Sequence, residues 1–485
     1  MSSGASLRRR CGHALPPHAT QHRGVGFIAE RHPLRAVEAG AALATPKDEM
    51  ATGPKGAVKH VVILVQENHT TDNYFRSLGA YGANVATDWP LAPGPSVKDQ
   101  AHHRHAYFDW WTGQVQTGHV QFDTAAVLPF YAYLAVTGAF FENHCSGFGT
   151  NSTPNHLLLV GGQSPTLGNP HRGSQPEWDM PSLPGLAEDH GVPWRAYTGK
   201  DGYPLEFYTQ LKGSANVVRS ATQFATDAKA GTLPPLCLMW HDSPIDEHPP
   251  ADIRQGMNAI WQVVDAVVQA GSWDETVFLL TWDDWGGFDD HVATPCVEYT
   301  PDNVQLAYGP RVPLLMFGGR VSAGIDRRWC SHVSVPKTAM QLLGLPKMGV
   351  PRLDNDPGLA DRVGAAVTMA APPGFGARIS LPPPPKQRPP IPPLPGPPGP
   401  PKLVGRVVLR GGATLPPPDD VVLPQEPGPP PSFTPRPGAK PKPPGKPKPK
   451  GRGQTSHGVP HRQPRGGGEK RPRGQTKQRS RKRKR

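Results

Sequence analysis

The sequence predicts an α/β fold with a mostly parallel central sheet flanked by helices. Three observations lead there. Short apolar runs recur through the middle of the chain, helical patterns lie between them, and two of the runs open at once into acidic residues. Strands alternating with helices build parallel sheets. In such sheets ligands collect at the carboxyl ends of the strands.

The elements follow in chain order. The runs are VVILV (61–65), PWRAYT (193–198), LPPLCLMWH (233–241), TVFLLTW (276–282) and RVPLLMF (311–317). A continuous β-branched run of this length suits a strand buried on both faces. Residues 253–271 place Met257, Ile260, Trp261, Val264 and Val267 at helical spacing and end on Gly271, a C-cap candidate. Pro336 to Gly344 reads as a last helix. Residues 1–55 read as a poorly ordered leader, 56–361 as the folded domain, and 362–485 as a disordered Pro-rich linker and basic tail. Residues 381–450 hold 28 prolines, which favours extended polyproline chain over a core. Within it, LVGRVVL (403–409) and DVVLP (420–424) read either as docking segments or as spacer.

Charge divides the chain in the same place. Residues 436–485 carry 19 Lys and Arg against Glu469, a net of +18. The whole chain is +13, so residues 1–435 carry about −5. A nucleic-acid role for the body gets no support from charge, whereas the tail is suited to polyanions. The five cysteines show no CxxC or CxxxC spacing, which argues against a thiolate zinc site. No apolar run is long enough to cross a membrane. Arg8-Arg9-Arg10 is similar to a twin-arginine leader, but the residues after it are polar. Export by that route is therefore not expected unless the natural start lies elsewhere.

Four segments carry chemistry. VKHVVILVQENHTTDNYF (58–75) leaves Glu67 and Asn68 at a strand exit, although Thr70 or Thr71 capping a short helix explains part of the same stretch. GFGTNSTPNHLLLVGG (147–162) sets Pro154 in a first helical turn, with Ser152 or Thr153 at the N-cap. A hydroxyl there is either a plain cap or a nucleophile beside the positive helix end. SPIDEHPP (243–250) holds His248 in a proline-rigid loop. TWDDWGGFDDHV (281–292) leaves Asp283 and Asp284 at a second strand exit. The Gly286-Gly287 turn then permits close backbone approach, and Asp290-His291 follow. Three carboxylates and an amide meeting at one sheet end repel unless a cation joins them. With a hydroxyl and several histidines, they are the parts for metal-assisted phosphoryl transfer.

Together these segments resemble the bacterial phosphoesterase family that includes phospholipase C and acid phosphatase members, within the alkaline-phosphatase-like superfamily. The resemblance covers roughly residues 58–348. It is carried by the order and spacing of HVVILVQENHTTDNYF, LPFYAYLAVTGAFFENH with STPNHLLLVGG, DEHPP, WDDWGGFDDHV, and YGPRVPLLMFGG with SHVS. It implies an alkaline-phosphatase-like α/β sandwich, a divalent metal (calcium, zinc or magnesium) and hydrolysis of phosphate mono- or diesters. Glu67, Asn68, Asp283 and Asp284 fall at metal-ligand positions and Ser152 at the nucleophile position. His248 and His291 lie in motifs that supply active-site histidines. His102 falls at a further one, for which His103 and His105 compete. Asn155 is implied in phosphate binding. The chain departs from the family pattern at Asp284, His156, His69 and Ser331, where Glu, Arg, Arg and Asp are familiar.

The expected function is metal-dependent hydrolysis of a phospholipid or small phosphate ester through Ser152. A different reading is a degenerate phospho-ligand-binding protein, tethered to anionic polymers by its tail. A sulfatase reading fails on the missing Arg after Pro154, since His156 stands there.

Overall fold

A computed structural model describes residues 57–111, 118–170, 176–294, 296–299, 305–395, 402–403 and 407–415. All of them belong to the first of two units, residues 1–434. The leader, the 420–424 patch and the basic tail lie outside the described residues.

Eight strands form one sheet. In chain order they are β1 (His60–Gln66), β2 (Ala139–Phe141), β3 (Trp194–Tyr197), β4 (Val217–Val218), β5 (Leu236–Trp240), β6 (Thr276–Trp282), β7 (Leu314–Phe317) and β8 (Gly324–Asp326). Across the sheet the order is β8-β2-β7-β6-β1-β5-β3-β4. Strand β7 runs against both neighbours, and the other pairs are parallel. Each of the five apolar runs contains one strand. Strands β2, β4 and β8, at two or three residues each, are too short to leave a pattern.

The alternation along β1 sorts the core into two faces. Val61, Ile63 and Val65 join the cluster that includes Leu157–Val160, Leu183 and Met340. Val62 and Leu64 join Tyr131, Leu134, Phe224, Ile260 and Val264 on the other side. All five β1 side chains are buried, each stabilising by about 1.5–3 kcal/mol. The helices on these faces include α1 (Pro129–Thr137), α2 (Ser152–Gly161), α3 (Ile253–Gln269) and α4 (Ser334–Leu343). Asp252 caps α3 by accepting from the Arg254 N–H, and Gly271 follows with φ 73°, as its cap candidacy required.

The packed chain continues beyond Asp361, where the body was expected to end. Val363 and Met369 are buried, and the Trp261 indole donates to the Pro373 carbonyl at 2.8 Å. Composition misplaces this boundary because proline-rich chain makes no core of its own, yet its carbonyls can still be bound by a neighbour. Of the 403–409 patch, residues 407 and 408 dock as well: Val407 is buried, and Gln163 exchanges two hydrogen bonds with the Val408 backbone.

Candidate functional site

The parallel register of β1 and β6 pairs Gln66 with Trp282. The residues beyond them, Glu67 and Asp283, therefore leave the sheet side by side. The backbone fixes this junction: the Asp283 N–H donates to the Gln66 carbonyl (2.9 Å), and the Asn68 N–H donates to Asp283 Oδ1 (2.8 Å). Asn68 turns the chain in the left-handed region, at φ 62°. Thr70 then caps the short helix Thr71–Tyr74, so the capping and site readings of this stretch hold together. Gly286 lies against Asn68, where an added Cβ would stand 2.4 Å from the Asn68 carbonyl oxygen.

Ser152 enters from α2. It is the first helical residue, and the N-cap is Asn151, which makes no side-chain cap bond. The expected capping hydroxyl is thus one residue into the helix. Ser152 Oγ donates to Asp284 Oδ2 at 3.3 Å. Thr153 turns away, its hydroxyl 3.2 Å from the Tyr203 hydroxyl. Asn155 bonds within its own loop. Its Oδ1 accepts from the Phe148 N–H, and its amide donates to the carbonyls of Phe148, Thr150 and Asn151, so it shapes the loop before α2.

The electrostatics are those of a cluster short of positive charge. Burial, then the Asp283 carboxylate, pushes Glu67 up to about 7. The same two causes hold Asp284 well above the usual carboxylate range. Asp283 goes the other way: burial opposes its charge, but His156 outweighs burial and holds it low. Asn68 Oδ1 and Asp283 Oδ2 are buried without a hydrogen bond. Unpaired buried oxygens are costly unless something absent from the protein's own atoms meets them.

His156 is the positive-leaning group here, lying 3.0 Å from Glu67 Oε1 and 3.4 Å from Asp283 Oδ2 through Nε2. Burial alone would lower its pKa; Glu67 and Asp283 override that and raise it to about 9. A hydrogen bond from Trp240 limits this. The indole only donates, and it donates to His156 Nδ1 at 3.1 Å. Nδ1 must keep its lone pair, so Nε2 carries the proton and donates to Glu67. A nitrogen so protonated does not ligate metal, although Glu67, His156 and Asp283 are near enough together to do so.

The network also orients Asn68. His102 Nδ1 lies 2.7 Å from the Gln100 carbonyl, so it carries the proton. Its Nε2 then accepts from the Asn68 amide at 3.3 Å, which leaves Asn68 Oδ1 as the free oxygen. His102, rather than His103 or His105, is the inward residue of its cluster; the other two stack outside. His248 stands with its ring centroid 6.0 Å from that of His102. Burial works against a charged His248, but the Pro249 carbonyl and the Glu67 and Asp283 charges outweigh it and raise its pKa. Beside it, Glu247 is buried, with φ 73°, and accepts from Tyr131 (2.5 Å), Tyr74 (2.8 Å), Trp282 (2.9 Å) and Gln66 (3.0 Å). That hub pins the His248 loop to both strand exits.

His291 is not brought into this cluster. Its Nδ1 lies 2.5 Å from Asp72 Oδ2, in a second group with Asp290. Arg311, fully buried, bonds Asp290 Oδ1 at 2.8 Å and Asp72 Oδ1 at 3.2 Å. This second group therefore has its cation built in. His69 is a buried ring stacked between Tyr74 and Phe288, and burial lowers its pKa to about 3. His332 accepts from the Gly147 N–H and bonds the Trp282 carbonyl.

Sequence reasoning missed Trp240, Tyr203, Glu247 and Arg311. Trp240 closes a strand, as Gln66 and Trp282 do, and could have been found by following the third strand exit. The first cluster fits a divalent cation: Glu67, Asn68, Asp283 and Asp284 offer hard oxygens, two of which accept no hydrogen bond, and Ser152 adjoins them.

These oxygens and a helix-borne hydroxyl gather at one end of the sheet. The chain itself is a member of the phosphoesterase family, whose model matches residues 58–346. It is similar to the non-hemolytic phospholipase C of Burkholderia pseudomallei, 24% identical over 379 residues, covering 57% of this chain and 53% of that protein. Phospholipase C B of Mycobacterium tuberculosis is 24% identical over 315 residues, covering 49% and 60%. Non-specific phospholipase C5 of Arabidopsis thaliana is 36% identical over 99 residues, covering 18% and 19%. The chain thus spans little more than half the length of the longer-matching relatives. Among solved structures, a protein in the alkaline phosphatase superfamily from Vibrio parahaemolyticus aligns with a TM-score of 0.36 at 14% identity, covering 62% of this chain and 70% of that one.

Proposed function

We propose that this chain hydrolyses phosphate esters with the help of a divalent cation, using Ser152 as the nucleophile. The observation that carries the reading is the Ser152 hydroxyl bonded to Asp284 at the edge of four side chains with ligand oxygens, two of which accept no hydrogen bond in the protein. A cation held by Glu67, Asn68, Asp283 and Asp284 would lower the Ser152 hydroxyl pKa and neutralise phosphate charge. Because Trp240 keeps His156 from ligating, the set is all oxygen, which suits magnesium or calcium better than zinc.

The remaining work falls to side chains. Asp284 Oδ2, to which the Ser152 hydroxyl already donates, accepts the Ser152 proton. Ser152 Oγ bonds to phosphorus as the ester oxygen leaves. His248 Nε2 donates a proton to that leaving oxygen, while its Nδ1–H stays on the Pro249 carbonyl. Water then attacks the phosphoserine and gives a proton to the neutral His248 Nε2, while the proton held on Asp284 returns to the departing Ser152 oxygen, which releases phosphate or a phosphomonoester. His102 positions Asn68, and His156 positions Glu67. The names of the relatives point to phospholipids, and a small phosphomonoester shares the same reacting group.

Hydrolysis of a chromogenic phosphomonoester, a chromogenic diester and a phosphatidylcholine vesicle, with and without EDTA, tests this. Turnover is expected for at least one substrate, with loss in EDTA and in Ser152→Ala. Full activity after thorough metal removal, or in Ser152→Ala, would sink the mechanism.

A further inference from the structure

Four aromatic side chains of the body donate to backbone carbonyls between residues 369 and 395. Trp273 donates to Met369 (3.0 Å), Trp261 to Pro373 (2.8 Å), Tyr81 to Pro382 (2.7 Å) and Trp329 to Pro395 (2.8 Å). Residues 381–395 hold nine prolines, with a bend at Lys386–Gln387. Proline has no N–H and a fixed φ, so such chain joins no sheet and leaves its carbonyls open. A flat ring with a polar edge satisfies a carbonyl and packs on pyrrolidine at once. That is how proline-rich ligands are recognised in aromatic grooves.

The two ends of this segment are held differently. Met369 and Pro372 are buried, so the first part belongs to the core. From residue 382 to residue 394 the chain is exposed; Ile391 and Leu394 keep 39% and 43% of their surface. It is held by the two donors and by contacts at Gly79 and Gly82, where an added Cβ would stand 3.5 Å from Arg388 Nη2 and 3.0 Å from Pro389 Cγ. The receiving surface is braced without the ligand: Arg327 donates to the Gly82 carbonyl at 2.9 Å, tying the Tyr81 loop to the Trp329 segment. Little buried area and a preformed surface make the contact exchangeable.

We propose that Tyr81, Gly82 and Trp329 form a polyproline-binding site, and that residues 381–395 are its resident ligand, held in cis and replaceable by another proline-rich segment. Trypsin reads this on the full chain, because Lys386 lies at the bend. Docked chain is a poor substrate, and cleavage after Lys386, followed by mass spectrometry, reports release. Tyr81→Phe and Trp329→Phe each remove one donor and keep an aromatic ring, and each should speed that cleavage several-fold, roughly tenfold for the pair. An excess of a synthetic 381–395 peptide carrying Lys386→Gln should speed it in the unaltered chain, and a version with alanine for proline should not. Equal cleavage in the unaltered and doubly altered chains would overturn the proposal, as would indifference to the proline peptide or equal competition by the alanine peptide.

Discussion

Replacing Trp240 with Phe tests whether a neutral His156 sets the site's affinity for metal. The change removes the N–H that occupies His156 Nδ1 at 3.1 Å and keeps an aromatic ring in the buried space. Nδ1 is then free to take a proton. Glu67 and Asp283 hold the imidazolium to about pH 9 against the burial that opposes it. At pH 7 that is two units of protonation, and at about 1.4 kcal/mol per unit it amounts to about 3 kcal/mol. A divalent cation competing for the same carboxylates would bind up to ~100-fold more weakly. At pH 9 the penalty nearly vanishes, because the ring is then half neutral in any case. Calorimetric titration with magnesium and calcium at pH 7 and pH 9, on both proteins, measures the difference. An unchanged affinity at pH 7 would refute the reasoning. So would an equal loss at both pH values, which would mark a packing defect.

Other consequences can be checked on stability. Glu247 is raised from 4.5 to about 7 by burial, against the pull of its four donors. Between those values the folded chain holds a proton that the unfolded chain has lost, so stability falls as pH rises from about 4.5 to about 7, by roughly 3 kcal/mol at most. Urea unfolding at pH 5 and 7.5 should show a smaller fall in Glu247→Gln; an identical fall would place the effect on other groups. Arg311→Met leaves Asp72 and Asp290 buried with His291 as their remaining cation, and should cost about 3–5 kcal/mol. That should lower the melting temperature by roughly 4–7 °C, and a shift under 2 °C would contradict the account of that network.

Strands β1 and β6 were legible because burial on both faces makes them continuous apolar runs, and their polar exits announced the acidic cluster. Ser152 was legible from Pro154, though the helix begins one residue earlier than the capping argument placed it. Other placements depend on partners that local sequence does not show. His156 is fixed by Trp240, 84 positions away, and Asn155 is consumed by carbonyls of its own turn. His291 reads as one more site histidine until Arg311, from the segment before β7, claims the same carboxylates. The proline-rich stretch misled for a related reason. Composition reports that it cannot form a core, and says nothing of indole and phenol groups elsewhere that bind its carbonyls.

Gly286 shows what an absent atom can decide. Its Cα hydrogen faces the Asn68 carbonyl, and even a methyl group would come within 2.8 Å of Asn68 Cβ. Any side chain there would act as a wedge between the two strand exits, prising Asn68 from Asp283 and Asp284. The four oxygens come from two separate stretches of chain, Glu67-Asn68 and Asp283-Asp284, so no nearby covalent link keeps the separation of the two pairs constant. The gap is gauged by bare backbone seated on backbone. Alanine at 286 would widen the proposed metal site while leaving every one of its proposed ligand residues in the sequence.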